Sequence, residues 1–174
     1  TLKSEGVSTL EARKIWYDDT VRRLNTDGRG TFLGSFAGED KILCIMQSGT
    51  YKLENFQLTN HFEEDMIVIE KWNPKKPISA VYWDHEKKQF NIKRFLVEET
   101  DRMVHFIPEE EGFYLELATT DWKPMLEIQY AKNGKTFDSP AVMESEGVFL
   151  WNLKKNEEII WKFKTKNNTD SRYD

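Results

Sequence analysis

Four pairs of short segments, each pair separated by a polar turn, constrain the fold of this chain more than any other feature. The pairs are 41–47 with 50–56, 78–84 with 89–98, 113–119 with 125–131, and 147–153 with 158–164. A β-favouring run followed by a short turn and a second strand, such as 50–56 with its alternating side chains, is typical of a β-hairpin. The first strands begin 37, 35 and 34 residues apart, and this spacing predicts a repeated β unit.

Further single strands are predicted at 31–36, 66–72 and 103–107. With them, each repeat unit contains three or four strands. Such units are typical of a propeller-like array, although an ordinary antiparallel sandwich or barrel would also space its turns regularly. Asn133-Gly134 is an additional signal for a two-residue hairpin turn. Helix is expected only as one short turn at Ser8–Glu11, where Ser8 and Glu11 have capping-box spacing. We therefore predict an all-β fold.

Length and composition indicate a folded globular chain. Its 174 residues, 39% hydrophobic and 32% charged, are enough for a buried core. The single cysteine, Cys44, excludes an internal disulfide framework and indicates reducing surroundings. The longest apolar run, Ile42–Met46, is too short to span a membrane. Because Thr1 is not an initiator Met and no signal peptide follows, we interpret the chain as a piece of a longer protein.

Charge is distributed unevenly along the sequence. The net charge is −5, with −1 from residues 1–100 and −4 from residues 101–174, so an anionic partner is expected to contact the first half. Seven cations there are candidates because they lie in predicted loops, where flexible side chains reach phosphates. They are Arg13, Lys14, Arg22, Arg23, Arg29, Lys75 and Lys76.

The alternative for these cations is a solvated surface with neighbouring acids. Asp18 and Asp19 lie beside the Arg22-Arg23 pair, and for Arg29 the favoured interpretation is a tight loop with an ion pair to Asp27 or another acid. Adjacent strand residues point to opposite faces, so one residue of the pair Lys93-Arg94 is expected to be buried in a structural role.

No combination of side chains predicts catalysis or a metal site. The three histidines, His61, His85 and His105, are separated by 24 and 20 residues, unlike metal-ligand spacing. No nucleophile has a base at recognisable spacing, and no Gly-rich phosphate loop is present. We therefore expect no catalytic residue, metal or cofactor in this fragment.

Several motifs together resemble a known family. Leu33-Gly34-Ser35-Phe36, then Asp40–Met46, then Gly49-Thr50-Tyr51-Lys52 resemble the blade repeat of the A subunits of bacterial type II topoisomerases, DNA gyrase and topoisomerase IV. The flanking motifs Asp27-Gly28-Arg29-Gly30 and Ile92-Lys93-Arg94-Phe95 are similar to the topoisomerase IV branch of that family. The resemblance covers roughly residues 5–98 and lies in the order and spacing of the motifs.

This resemblance implies a partial C-terminal β-pinwheel, a disc of blades that exchange strands and bind DNA. Residues 1–30 would be an N-terminal segment with linking loops, 31–164 three or four blade units, and 165–174 a flexible tail. The fragment would present double-stranded DNA to an upstream catalytic core and would itself be non-catalytic. The parent would be an ATP-dependent isomerase of the cytoplasmic nucleoid, with ATP and Mg held in other domains or subunits. Its protein partners would be the rest of the same polypeptide and the ATPase B subunit.

One departure from the family pattern concerns the basic, glycine-rich wrapping box of gyrase. The nearest segment, 3–14, has Glu5 and Glu11 where a phosphate binder needs cations, which favours topoisomerase IV-like behaviour over tight wrapping. Two other classes of function remain open. One is a protein-interaction propeller fragment, and the other is a carbohydrate-binding or hydrolytic β domain. Both would use exposed tryptophans, with Trp72, Trp83, Trp122 and Trp151 as candidates.

Overall fold

The computed structural model describes residues 12–121 and, beyond them, the backbone of strands 125–132, 135–142, 149–154 and 160–166. These described residues contain strands and turns but no helix, which confirms the all-β prediction. Every pairing with a described register is antiparallel. The strands are β1 Arg13–Asp18, β2 Arg23–Asn25, β3 Thr31–Phe36, β4 Ile42–Met46, β5 Thr50–Glu54, β6 Met66–Lys71, β7 Pro77–Asp84, β8 Gln89–Leu96, β9 Val104–His105, β10 Tyr114–Thr119, β11 Met125–Lys132, β12 Lys135–Val142, β13 Phe149–Lys154 and β14 Ile160–Lys166.

The chain divides into two compact units, the first formed by Thr1–Trp72 and Glu99–Val104. Its sheets have the orders β2-β1-β3 and β6-β4-β5-β9. All five residues of β4 are buried because β4 lies between β5 and β6, which explains its continuous apolar run. The predicted first hairpin is confirmed, with Met46 paired to Thr50 around a tight turn.

The core of the first unit joins its two sheets. Ile15 and Tyr17 of β1, Phe36 of β3 and Cys44 of β4 belong to one cluster of buried side chains. The Tyr17 and Phe62 rings meet edge to face, with centroids 5.3 Å apart. Burial of this apolar surface fixes β1 in the unit.

The second unit is formed by Asn73–Glu98 and His105–Asp174. Its sheets have the orders β10-β7-β8-β13 and β12-β11-β14. The predicted second hairpin is confirmed, with Asp84 paired to Gln89 across a four-residue turn. Side chains of Asp84, Gln89 and Asn91 form a buried hydrogen-bonded group beside that turn.

The third and fourth predicted hairpins are wrong, although all four of their strands exist. β10 pairs with β7, β11 pairs with β12 and β14, and β13 pairs with β8. Asn133-Gly134 indicated the hairpin that does form in this region, because the flanking strands β11 and β12 pair from Lys132 and Lys135 onward. Strands are therefore exchanged between the two sheets of this unit. Among the described strands, each sheet keeps open edges and none closes into a barrel, which is compatible with a partial β-pinwheel.

Residues 12–30 contain two strands that the sequence analysis assigned to linking loops. Ile15 and Tyr17 alternate with Lys14, Trp16 and Asp18, which is the period of a half-buried strand. The predicted turn at Ser8–Glu11 and the tail beyond Lys166 lie outside the described residues.

Arg94 is fully buried on β8, which confirms that one residue of the Lys93-Arg94 pair is structural. Lys93 donates to the backbone oxygen of Phe106, and burial lowers the pKa of its ammonium group.

Candidate nucleic-acid interface

The sequence predicts Arg13 and Lys14 in a loop, but in the structure both lie at the start of β1. They pair with Phe36 and Ser35 of β3, and both side chains are exposed. Within residues 12–121, neither forms an ion pair. A strand anchored by the buried Ile15 therefore presents two exposed positive charges at one end, and no carboxylate among residues 12–121 is bound to either.

Lys71 is a third cation beside them that sequence reasoning did not select. Its Nζ donates to the backbone oxygen of Ser35 at 2.7 Å and lies 3.4 Å from the Asp40 carboxylate. The same ammonium group lies 5.4 Å from the centre of the Phe36 ring. We call Arg13, Lys14 and Lys71 the cationic corner. Lys71 contributes less free charge to it because Asp40 partly neutralises its ammonium group.

Arg22 and Arg23 lie at the opposite end of β1. Arg23 is half-buried and pairs with Asp18, five residues and about 17 Å along the strand from Arg13. Arg22 has a positive φ of 52° in the preceding turn, and its Nη2 lies 3.3 Å from Glu64 Oε1. The structure therefore separates these two arginines from the cationic corner.

Arg29 sits in a loop that Asn25 closes. The Asn25 side chain accepts from the backbone N–H groups of Asp27 and Arg29 and donates to the Arg29 carbonyl at 2.9 Å. The Arg29 guanidinium lies 3.2 Å from the Asp27 carboxylate, as the favoured interpretation predicted. The buried Asn25 was missed, although an Asn two residues before Asp-Gly is a turn signal.

Gly30 ends this loop where the backbone passes close to β1. Its φ is +89°, and a Cβ there would lie 2.1 Å from the backbone oxygen of Tyr17. Only glycine fits this close approach, because any side chain at residue 30 would collide with the backbone of β1.

Lys75 and Lys76 lie in a turn of the second unit, as their flanking prolines predicted. The side-chain oxygen of Asn73 accepts a hydrogen bond from the backbone N–H of Lys75 at 3.0 Å. The backbone oxygen of Asn73 accepts one from the backbone N–H of Lys76, also at 3.0 Å. The Lys75 side chain is exposed and that of Lys76 is half-buried. These two lysines belong to a different unit from the five arginines and lysines of residues 13–29.

Other candidate groups are structural in the described part of the chain. Burial, with a smaller contribution from Glu54, raises the pKa of the Cys44 thiol to about 12. Among residues 12–121, no three histidine, cysteine, aspartate or glutamate side chains are placed to hold a metal ion.

Trp72 and Trp83 are half-buried and not exposed, and the side chains of Trp122 and Trp151 lie outside the described residues. None of the described segments is a helix suited to crossing a bilayer.

One comparison with known proteins identifies the chain's family. Residues 23–148 match the model of the topoisomerase C-terminal domain of Bacteroidota, which extends the resemblance well past residue 98. No curated protein and no solved structure matches the chain significantly. The family match covers most of the sequence and agrees with the all-β architecture. The chain belongs to the Bacteroidota family of topoisomerase C-terminal domains.

Proposed function

We propose that this domain binds duplex DNA as the C-terminal accessory domain of the DNA-cleaving polypeptide of a type II topoisomerase. The proposal rests on the exposed cationic corner, which lies in a chain that belongs to a family of topoisomerase C-terminal domains. Arg13 and Lys14 have no acidic partner among residues 12–121, so they can meet phosphates without first breaking an ion pair. Binding of this kind holds DNA near an enzyme core and needs no catalytic group.

The chemistry of the contact is counterion release. Each cation that neutralises a phosphate displaces a condensed counterion, so affinity falls steeply with salt. Arg13 can form two parallel hydrogen bonds to a phosphate, whereas Lys14 acts as a point charge. Such contacts carry no base information, and the domain therefore binds unrelated duplexes equally. Arg23, Lys75 and Lys76 extend the proposed contact set.

The parent protein in this proposal is an ATP-dependent isomerase that acts on DNA in the cytoplasmic nucleoid. ATP and Mg are bound by its other domains or subunits. The catalytic core and the ATPase B subunit are the proposed protein partners. Glu5 and Glu11 in segment 3–14 support topoisomerase IV-like activity and argue against gyrase-like wrapping.

The test compares two double variants that remove the same charge. In Arg13→Ala/Lys14→Ala, we expect duplex affinity to fall about 10- to 100-fold and the salt slope to flatten by up to about two. In Arg22→Ala/Arg29→Ala, both arginines already have carboxylate partners, so the loss is less than about fivefold. Fluorescence anisotropy of labelled duplex DNA at several salt concentrations measures both.

Three results would separate the possible outcomes. Equal losses in the two variants would show that net charge alone matters and would remove the cationic corner from the site. An unchanged affinity in both, with a further Lys75→Ala/Lys76→Ala pair also silent, would reject these phosphate contacts. If the wild-type chain does not bind duplex DNA at low salt, the proposed function itself fails.

A further inference from the structure

A cleft of about 320 Å³ opens in the first unit, at the end of β1 away from the cationic corner. Strand β6 forms one wall through Ile67 and its neighbours, and Tyr17 and Thr31 lie opposite. Arg22, Glu63 and Glu64 stand on its rim. The cleft is separate from the cationic corner of Arg13, Lys14 and Lys71.

Two sheet edges border this cleft. In the described sheets, β6 pairs only with β4, and β3 pairs only with β1. The contact from Lys71 Nζ to the Ser35 carbonyl holds the two strands together at one end, and the cleft lies towards the other. An edge strand offers backbone donors and acceptors to an incoming strand.

The hydrogen-bond pattern of β6 shows which backbone groups are available. Trp72 N–H donates to the Lys41 carbonyl at 2.8 Å, so in the alternating antiparallel pattern Val68 bonds to β4. The backbone N–H and C=O of Ile69 then point away from β4. A register shift follows next to Ile67, whose side chain is 43% exposed beside the cleft. An extended segment laid along β6 would gain backbone hydrogen bonds and cover this isoleucine.

The charge of the cleft selects its occupant. Three of its lining residues, Asp19, Glu63 and Glu64, are acidic, and only Arg22 is basic. Arg22 already lies 3.3 Å from Glu64, while Glu63 lies 3.3 Å from Lys52. The remaining net negative charge repels a polyanion and attracts a cationic segment.

We propose that this cleft docks an extended protein segment of alternating apolar and basic residues, added as a strand along β6. The apolar side chains cover Ile67, and the basic ones meet Asp19, Glu63 and Glu64. The domain would thereby hold a protein partner at the end of β1 opposite the cationic corner, and this inference does not depend on DNA binding there.

The experiment is a ¹⁵N amide NMR titration of the whole 174-residue chain. The probe is a synthetic peptide of alternating lysine and valine, and its twin of alternating glutamate and valine is the control. We expect the lysine peptide, at up to about 1 mM, to shift the amides of Ile67, Ile69 and Thr31, and the acidic twin to leave them unchanged. A third titration with duplex DNA should move Arg13 and Lys14 but not Ile67.

Charge variants complete the test. Glu63→Gln/Glu64→Gln should weaken binding of the lysine peptide at least about fivefold, because it removes two carboxylates and also leaves the Arg22 guanidinium at the rim without its partner. The matched pair Glu110→Gln/Glu111→Gln, exposed in the second unit, should have no effect. Ile69→Pro, which removes one outward backbone N–H, should also weaken binding while the wild-type amide dispersion is retained. No shift at Ile67 and Ile69, equal binding of both peptides, or DNA in the cleft would overturn the proposal, whether or not DNA binds elsewhere.

Discussion

The two ends of β1 carry similar numbers of cations but different electrostatic surroundings. At its start, Arg13 and Lys14 are exposed and have no acidic partner among residues 12–121. Near its end, Arg22 is held by Glu64, with Asp19 and Glu63 close by. The same residue types are therefore suited to opposite partners, a polyanion at one end and a basic segment at the other. A count of basic residues along the sequence cannot distinguish them.

This contrast requires that both ends of β1 belong to one rigid body. Ile15 and Tyr17 lie between them, and both belong to the core of the first unit. Packing of these two side chains against β4 keeps the ends about 17 Å apart. Variants that disturb this rigidity should therefore have larger effects than variants that change only the charge.

Gly30→Ala should have the largest effect because it breaks the end of β1 near Arg22. The added Cβ would lie 2.1 Å from the Tyr17 oxygen at a φ of +89°, so we expect a loss of more than about 3 kcal/mol. Gly28→Ala is the matched control, since its φ is +83° with no atom within 4 Å, and it should cost about 1 kcal/mol. Urea unfolding followed by tryptophan fluorescence measures both. Equal losses would show that the close approach to β1 does not exist.

The pH dependence of the free energy of unfolding shows whether the Cys44 thiol stays buried in the core beneath β1 at high pH. Its pKa is raised from 9.0 to about 12, so the native state keeps a proton that the unfolded state loses. Between those values, this thiol makes stability fall by up to about 1.4 kcal/mol per pH unit as the pH rises. Cys44→Ala should remove that part of the slope while the slope from other groups remains. Parallel pH profiles for wild type and variant would mean that the thiol ionises in the folded chain.

Glu64→Gln should have the smallest effect and sharpens the charge difference. Removal of this carboxylate frees Arg22, so duplex affinity should rise about two- to fivefold. The rise should disappear when Arg22→Ala is also present, because the effect acts through that guanidinium. Anisotropy titrations at low salt measure the double-mutant cycle. A rise that persists without Arg22 would assign the effect to general repulsion by the acidic rim.

The existence of the strands was predictable from the sequence, whereas several of their partners were not. Two β-favouring segments on either side of a short turn identified β4-β5 and β7-β8 as hairpins, because the turn itself fixes the pairing. For β10 and β13, the same pattern indicated strands, but their partners lie far away in the chain. Periodicity describes which side chains face a core and contains no information about which strand lies alongside.

The candidate site was predictable in residue type but only partly in placement. Local signals succeeded for Arg29, where Asp27 is two residues away, and for the Asn73 turn that carries Lys75. They failed for Arg22, because its partner Glu64 is brought close only by the fold. Lys71 was missed for the same reason, since its contact with Ser35 joins two sheets.

The exchange of strands in the second unit has a consequence for the order in which this protein is made. Arg94 of β8 pairs with Phe149 of β13, so one edge of β8 remains without this partner until β9 to β12 have been synthesised. By contrast, β4, β5 and β6 of the first unit follow one another along the chain and can assemble as soon as they leave the ribosome. Distant pairings close long loops and form slowly. The emerging protein thus acquires the β4-β5-β6 part of its first unit early, whereas the β8 edge in the second unit stays without its β13 partner until β13 has been synthesised.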